Sequence, residues 1–368
     1  MDAVPNGKGP MMRILHLVLA PRLSGAEVLA TELALHQRAE DHHVSLTSLL
    51  PAHDDFEQLR RELAQGDVPC RFPLKRHGMA GKLWHLYRVI RIVRPDVIFA
   101  HATIPAFYVR ALPIATPIVY IMHSATNDFE RNLFRRVERI LSARARAVVG
   151  VSRTNVDDYI AMVGPHPHMI VIPNGVDPAR FLHEAPAEAS GGAPEIVQIG
   201  RYNAIKNQLQ TVRAFAQVKR EVPDARLVLC GVIEDPTYHA QVIELVATLG
   251  LTHAVAIEGP RTDVSRMLAQ ASAFAMPSRS EGHSIGFLEA LASGIPVVAN
   301  TIEPFRFASD FPGVQLVDTD DTAAYASALV AALNQSRVQR ELTGLTLKDS
   351  AERYLDVARK VVRQGVVF

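Results

Sequence analysis

Glu281 and Glu289 stand eight residues apart in the stretch SRSEGHSIGFLEALASGIPVVA, separated by a glycine-bearing loop and the start of an apolar helix pattern. Two carboxylates this close in sequence suit either a general acid and base pair or two stations along one ligand. The local pattern separates the two cases. Ala273 to Met276 reads as a strand opening into a polar loop, so Glu281 belongs at the strand's carboxyl end; SIGFLEALASG reads as a helix ended by Gly294, with Pro296 beyond, so Glu289 belongs near its second turn. If that helix starts near Ser284, the backbone N–H groups of Ser284, Ile285 and Gly286 are its unpaired first-turn donors. A phosphate would dock there, between the two carboxylates.

A second group points to the same kind of ligand. In IVQIGRYNAIKNQ, Gly200 ends a strand, Arg201 follows, and Lys206 stands five residues further at a helix start. Cations at the mouth of a parallel sheet suit a polyphosphate, which Arg meets bidentately and Lys as a point charge, although two ordinary surface cations would read the same. In LHLVLAPRLSGAEVLATELA, Ser24 and Gly25 stand at another strand-to-helix entrance, where a glycine permits close approach of a ligand. IVYIMHSATND ends a strand at His123, whose imidazole is expected to face the cleft, although a single histidine is more often structural. Most of the other histidines read as structural.

These residues need two parallel sheets to hold them. Apolar runs at 14–19, 44–49, 97–100, 118–122, 147–151 and 169–172 alternate with helix-period segments, and a second set follows at 196–199, 226–230, 255–258, 273–276 and 297–299. Strands alternating with helices require parallel pairing, since each parallel pair needs a crossover. The small, flexible PAEASGGAP, Pro186 to Pro194, lies between the sets. The reading is therefore a first domain over 12–182, a linker over 183–194 and a second domain over 195–348. The segment 349–368 is helix-like and expected to pack back on the first domain. Two open α/β domains joined this way would face each other across a cleft.

At 368 residues the chain exceeds the size at which one core usually keeps growing, which agrees with two domains. No stretch reaches the roughly 18 apolar residues of a membrane span. The run Ile14 to Ala20 after Arg13 is at the short limit for a signal peptide core and reads as a first strand, with residues 1–11 a loose tail. Cys70 and Cys230 lie far apart without metal-ligand spacing, which fits a reducing compartment, with the cytoplasm as the expected location. The net charge of +1 conceals 22 Lys/Arg against 17 Asp/Glu in residues 1–180 and 17 against 21 in the remainder. Arginines gather in KLWHLYRVIRIVR and RNLFRRVERILSARAR, which read either as solvated helix faces or as a surface approaching anionic lipid. No nucleic-acid motif accompanies them.

Taken in order, SGAE, MHS, IPNGVD, GRYNAIKN and EGHSIGFLEALASGIPVVA resemble the family 4 retaining glycosyltransferases of GT-B fold, over nearly the whole chain from about residue 12. The E-x7-E pattern and the G-R-x4-K pattern carry that resemblance. It implies that Glu289 binds the ribose hydroxyls of a nucleotide sugar and that Glu281 contacts the donor sugar beside the reacting carbon, with Gly282 and His283 next to it. Arg201 and Lys206 would bind the diphosphate, helped by the amides of Ser284, Ile285 and Gly286. His123 would approach the sugar's 6-position, Gly25 would sit near the phosphates and acceptor, and Arg261 would line the nucleobase. Two departures stand out: Ser24 precedes Gly25 where the family often has two glycines, and His283 replaces a frequent aromatic residue.

The implied reaction moves a sugar, with retention, from a nucleoside diphosphate, a UDP-sugar by the breadth of the family, to a hydroxyl of a saccharide or lipid-linked saccharide. Cell-surface polysaccharide or glycolipid synthesis is the expected setting. With no Asp-x-Asp signature or acidic metal cluster among the motifs, no metal or other cofactor is expected, and the cations and helix amides would stabilise the leaving diphosphate. The rival readings are a sugar-nucleotide epimerase of similar architecture, a non-catalytic nucleotide-sugar-binding module and a membrane-associated scaffold.

Overall fold

A computed structural model describes residues 10–123, 128–181 and 192–363. Their contacts form two compact units, one holding the residues up to Pro173 together with those from Leu347, the other Asn174–Thr346. In the first unit β1 (Arg13–Val18), β2 (His43–Ser48), β3 (Cys70–Arg71), β4 (Val97–His101), β5 (Ile118–Met122), β6 (Ala147–Gly150) and β7 (Met169–Val171) form one parallel sheet in the order β3-β2-β1-β4-β5-β6-β7. Helices cover both faces, so β4, β5 and β6 are buried throughout and their apolar runs lack alternation.

The second unit repeats the design with β8 (Glu195–Ile199), β9 (Arg226–Cys230), β10 (Val255–Glu258), β11 (Ala273–Met276), β12 (Val297–Asn300) and β13 (Val314–Val317), ordered β10-β9-β8-β11-β12-β13. Both sheets are doubly wound. The chain first builds outward from β1 or β8, then returns to the other side of that strand with β4 or β11. Apolar layers on the two faces of the second sheet include Phe215, Leu227 and Tyr325 on one side and Phe274, Phe287 and Phe305 on the other.

Two features differ from the sequence reading. The sequence reading omits the edge strands β3, which has only two residues, and β13, whose run is interrupted by Gln315 and half-buried throughout. The division between the units falls after Pro173, ahead of the expected boundary at 182. There the Val176 N–H bonds the Leu345 carbonyl at 3.0 Å, and Phe181 is buried in the core of the second unit. The expected tail and linker fall largely outside the described residues. The helix Leu347–Arg363 belongs to the first unit, where Tyr354 meets Phe99 edge to face at 5.8 Å.

The arginine-bearing helices Met79–Val93 and Asn132–Leu141 expose Trp84, Leu133 and Ile140. Among the described residues no helix is long and apolar enough to cross a membrane.

Candidate active site

Open parallel sheets collect ligands outside the carboxyl ends of their strands, where the chain order reverses. In the second unit that point lies between β8 and β11, and the loops leaving these two strands carry most of the expected site. After β8 come Gly200, Arg201 and Lys206; after β11 come Glu281, Gly282, His283 and Ser284. The two loops meet. Lys206 Nζ donates to Glu281 Oε1, with the two side chains only 13% and 10% exposed. The Lys206 stem lies over Gly200, where an added Cβ would stand 3.2 Å from Cδ.

This loop is held by its own polar side chains. Asn203 Oδ1 accepts the Lys206 N–H at 3.0 Å, Gln198 Nε2 donates to the Lys206 carbonyl at 2.7 Å, and Gln208 Nε2 donates to the carbonyls of Gly200 and Arg201 at 3.2 and 3.0 Å. Arg201 donates to Glu234 from the loop after β9, and Asn203 donates to the second oxygen of the same carboxylate. Gly231 runs so close beneath that a Cβ on it would stand 2.0 Å from the Gly200 carbonyl oxygen.

The helix after β11 spans Ile285–Ala292, with Ser284 as its N-cap: the Ser284 hydroxyl accepts the Phe287 N–H at 3.4 Å. Helix geometry leaves the amides of Ile285 and Gly286 without an intrahelical acceptor, facing the end of the sheet that carries Lys206. Glu289 sits in the second turn, half-buried. The helix stops at Ser293, with Gly294 left-handed at φ +73°. Capping therefore falls to Ser284, which leaves the Glu281 carboxylate to Lys206.

His283 is 8% exposed and stacks on Phe307 at 5.2 Å and 24°, and burial pushes its imidazole pKa down to about 4. Its carbonyl accepts from Asn174 Nδ2 at 2.6 Å. Asn174 is a contact that sequence reasoning missed, although IPNGVD contains it. Arg261 follows β10 and is gripped by Asp263 at 2.8 and 2.6 Å and by Glu258 at 3.0 Å, bonds that raise its already high pKa.

The two remaining predicted residues belong to the first unit. Gly25 opens the helix Gly25–Ala39 after β1, preceded by Ser24, whose hydroxyl donates to the buried Glu27 rather than capping a backbone amide. His123 directly follows β5. Its Nε2 lies 2.9 Å from His101 Nδ1, and burial pushes its pKa down to about 4, so it is a neutral ring at ordinary pH. Among the described residues no cluster of three or more His, Cys, Asp or Glu side chains with metal-binding geometry occurs.

Comparison with known proteins bears on the family and the fold. Residues 23–180 match the model described as Glycosyltransferase Family 4, and residues 193–335 match that described as Glycosyl transferases group 1. The GDP-mannose-dependent alpha-(1-6)-phosphatidylinositol monomannoside mannosyltransferase of Mycolicibacterium smegmatis is 32% identical over 181 residues, 45% of this chain; the match spans about half of that relative, 47%. The GDP-mannose:cellobiosyl-diphosphopolyprenol alpha-mannosyltransferase of Xanthomonas oryzae pv. oryzae is 25% identical over 339 residues, 87% of each chain. The crystal structure of Anabaena Alr3699/HepE in complex with UDP-glucose has a TM-score of 0.76 at 18% identity, covering 95% of this chain and all of that one. That likeness establishes the fold as GT-B.

Proposed function

This chain belongs to the family 4 glycosyltransferases, and from that premise we propose that it transfers a hexose from a nucleoside diphosphate to a hydroxyl of a saccharide or lipid-linked saccharide. The observation that carries the reading is the contact between Lys206 and Glu281 at the β8/β11 reversal. It joins the cation expected at the diphosphate to the carboxylate expected at the sugar, beside the N-terminus of the Ile285–Ala292 helix.

In this reading Arg201, Lys206 and the amides of Ile285 and Gly286 receive the charge that grows on the departing diphosphate. A cation about 4 Å from a phosphate oxygen contributes roughly 4 kcal/mol at an effective dielectric near 20, before desolvation is subtracted. Arg201 already carries the Glu234 carboxylate, so a phosphate must share or replace that partner. Glu281, held by Lys206, orients the sugar and faces the positive charge developing at its ring. Glu289 takes the ribose. Transfer proceeds with retention by attack on the face the diphosphate leaves, with a phosphate oxygen taking the acceptor's proton and no metal taking part.

GDP-mannose is the first donor to test, because both sequence relatives above are named for it. The breadth of the family favours a UDP-sugar, so UDP-glucose is tested beside it. The experiment is a thermal-shift and hydrolysis screen of nucleotide sugars, followed by transfer to short saccharide and polyprenyl-diphosphate-saccharide acceptors. A selective stabilising donor that is turned over supports the reading. Affinity without turnover on any acceptor would instead favour a binding module, and sugar interconversion without acceptor an epimerase.

A further inference from the structure

A line of hydrogen bonds joins the two cations of the loop after β8. Arg201 Nη1 donates to Glu234 Oε1, Asn203 Nδ2 donates to Glu234 Oε2, and Asn203 Oδ1 accepts the Lys206 N–H at 3.0 Å. Glu234 is the one member of this line from another loop, the one that follows β9. Both loops are pinned where they meet. Tyr202, between Arg201 and Asn203, is fully buried, and its hydroxyl lies 2.7 and 3.0 Å from the carbonyl oxygens of Leu229 and Glu258. It pairs with Ile233 in an isolated parallel bridge, its N–H on the Val232 carbonyl at 2.8 Å and its carbonyl accepting the Asp235 N–H at 3.1 Å. Asp235 in turn caps the helix Pro236–Thr248, accepting the N–H groups of Thr237 and Tyr238 at 2.9 and 3.1 Å. Glu234 therefore stands between two anchored residues.

The atom types at this junction call for one kind of group. The Asn203 oxygen is taken by the Lys206 N–H, so the amide turns its NH2 toward Glu234, where Arg201 also presents an N–H. A carboxylate only accepts and answers both donors; an amide would set its own NH2 against one of them. Charge alone does not explain the acid, because a carboxylate beside a cation subtracts positive potential from a site that must attract phosphate. What Glu234 supplies is direction. A free arginine spreads over many rotamers, whereas one tied at Nη1 presents its planar fork in a fixed orientation. Among the described residues Nε and Nη2 of Arg201 make no hydrogen bond, and these two N–H groups form an edge that can meet a phosphate with parallel bonds. Lys206 is set from the same loop, its backbone gripped by Asn203 and Gln198 and its Nζ on Glu281.

We propose that Glu234 is a positioning residue: braced by Asn203, it fixes the Arg201 guanidinium relative to Lys206, so that the two cations act as a pair on adjoining phosphates and the site prefers a nucleoside diphosphate to the monophosphate. The statement rests on the reading above that Arg201 and Lys206 receive the diphosphate. In it the phosphate shares Arg201 with Glu234 rather than displacing the carboxylate. Displacement would break two charge-assisted bonds, at Arg201 and at Asn203, whereas sharing breaks neither. A monophosphate offers no second phosphate for the pair to span, so it gains less from having Arg201 aimed.

Calorimetric titration of the full chain with GDP, GMP, UDP and UMP tests this, with thermal midpoints taken alongside to confirm folding. The wild type is expected to bind the diphosphate of its preferred base more tightly than the monophosphate. In Glu234→Gln the diphosphate affinity is expected to fall about tenfold, the size of losing one charge-assisted hydrogen bond. The monophosphate affinity is expected to fall by about threefold or less, the scale of one exposed charge contact. Glu234→Ala is the second variant, with the same expected outcome. Tighter diphosphate binding in either variant would show the carboxylate only competing with the ligand, and an equal loss for both nucleotides would show a general disturbance; each overturns the proposal. In an Arg201→Ala background, adding Glu234→Gln is expected to cost little more, and an undiminished further loss overturns the route through Arg201. Diphosphate affinity that depends on Arg201 but not on Glu234 removes this proposal and leaves the diphosphate reading standing. Affinity that ignores Arg201→Ala, or no preference for a diphosphate in the wild type, removes that reading and this proposal with it.

Discussion

Lys206 and Arg201 occupy different settings, and their expected losses differ in kind. Lys206 is nearly enclosed and bonded to Glu281, so Lys206→Ala removes a preorganised charge and also leaves a shielded carboxylate unpaired. We expect turnover to fall by about 10² or more, with KM for the donor changing less. Arg201 is more open, and Arg201→Ala should show its loss partly in donor KM. Purified, folded variants with near wild-type turnover would refute the assignment to the diphosphate. Transfer is also expected to survive EDTA if, as proposed, these cations carry the charge; loss on chelation that Mg²⁺ or Mn²⁺ restores would refute the metal-free scheme. The sequence revealed the types and order of these residues, because motif spacing follows from strand, loop and helix. The partners of Arg201 and His123 were illegible there: Glu234 lies 33 residues away and His101 22, and their meeting depends on which strands are neighbours.

The β8 and β9 ends form one element whose position sets the Arg201 loop. Gly200 N–H bonds the Cys230 carbonyl at 2.9 Å and Tyr202 N–H the Val232 carbonyl at 2.8 Å, so the two loops continue side by side past the sheet. Gly231 is where they come closest, and the obstacle to any side chain there is backbone rather than a movable side chain. Gly231→Ala should therefore push the Arg201 loop outward, lowering the thermal midpoint and raising donor KM together. An unchanged midpoint with unchanged KM would show that the loop moves freely. The central strands were legible because burial on both faces leaves uninterrupted apolar runs. The edge strands β7 and β10 were legible too, but β3 and β13 were not: β3 has only two residues and β13 is half-buried along its length, so neither shows an uninterrupted apolar run.

Buried neutral histidines make the whole molecule sensitive to acid. His16 in the first unit and His283 in the second are both pushed down to about 4 by burial. Between about 6.5 and that value the unfolded chain binds protons that the folded chain refuses, so stability falls as pH falls through this window, by up to about 3 kcal/mol per ring. Urea midpoints at pH 7.5, 5.5 and 4.5 should decrease in that order, and His16→Phe or His283→Phe should flatten the decrease. A flat profile in the wild type would contradict the burial of these rings. The helix Leu347–Arg363 has a consequence of another kind, for the order of events during translation. It covers Phe99 through Tyr354 yet lies after the whole second unit in the chain. A ribosome making this protein releases an uncapped first sheet, then a contiguous second unit able to close on itself, and only last the helix that seals the first. Nascent chains ending before residue 347 should therefore hold the first unit incomplete and dependent on chaperones, while the unit made later is already native.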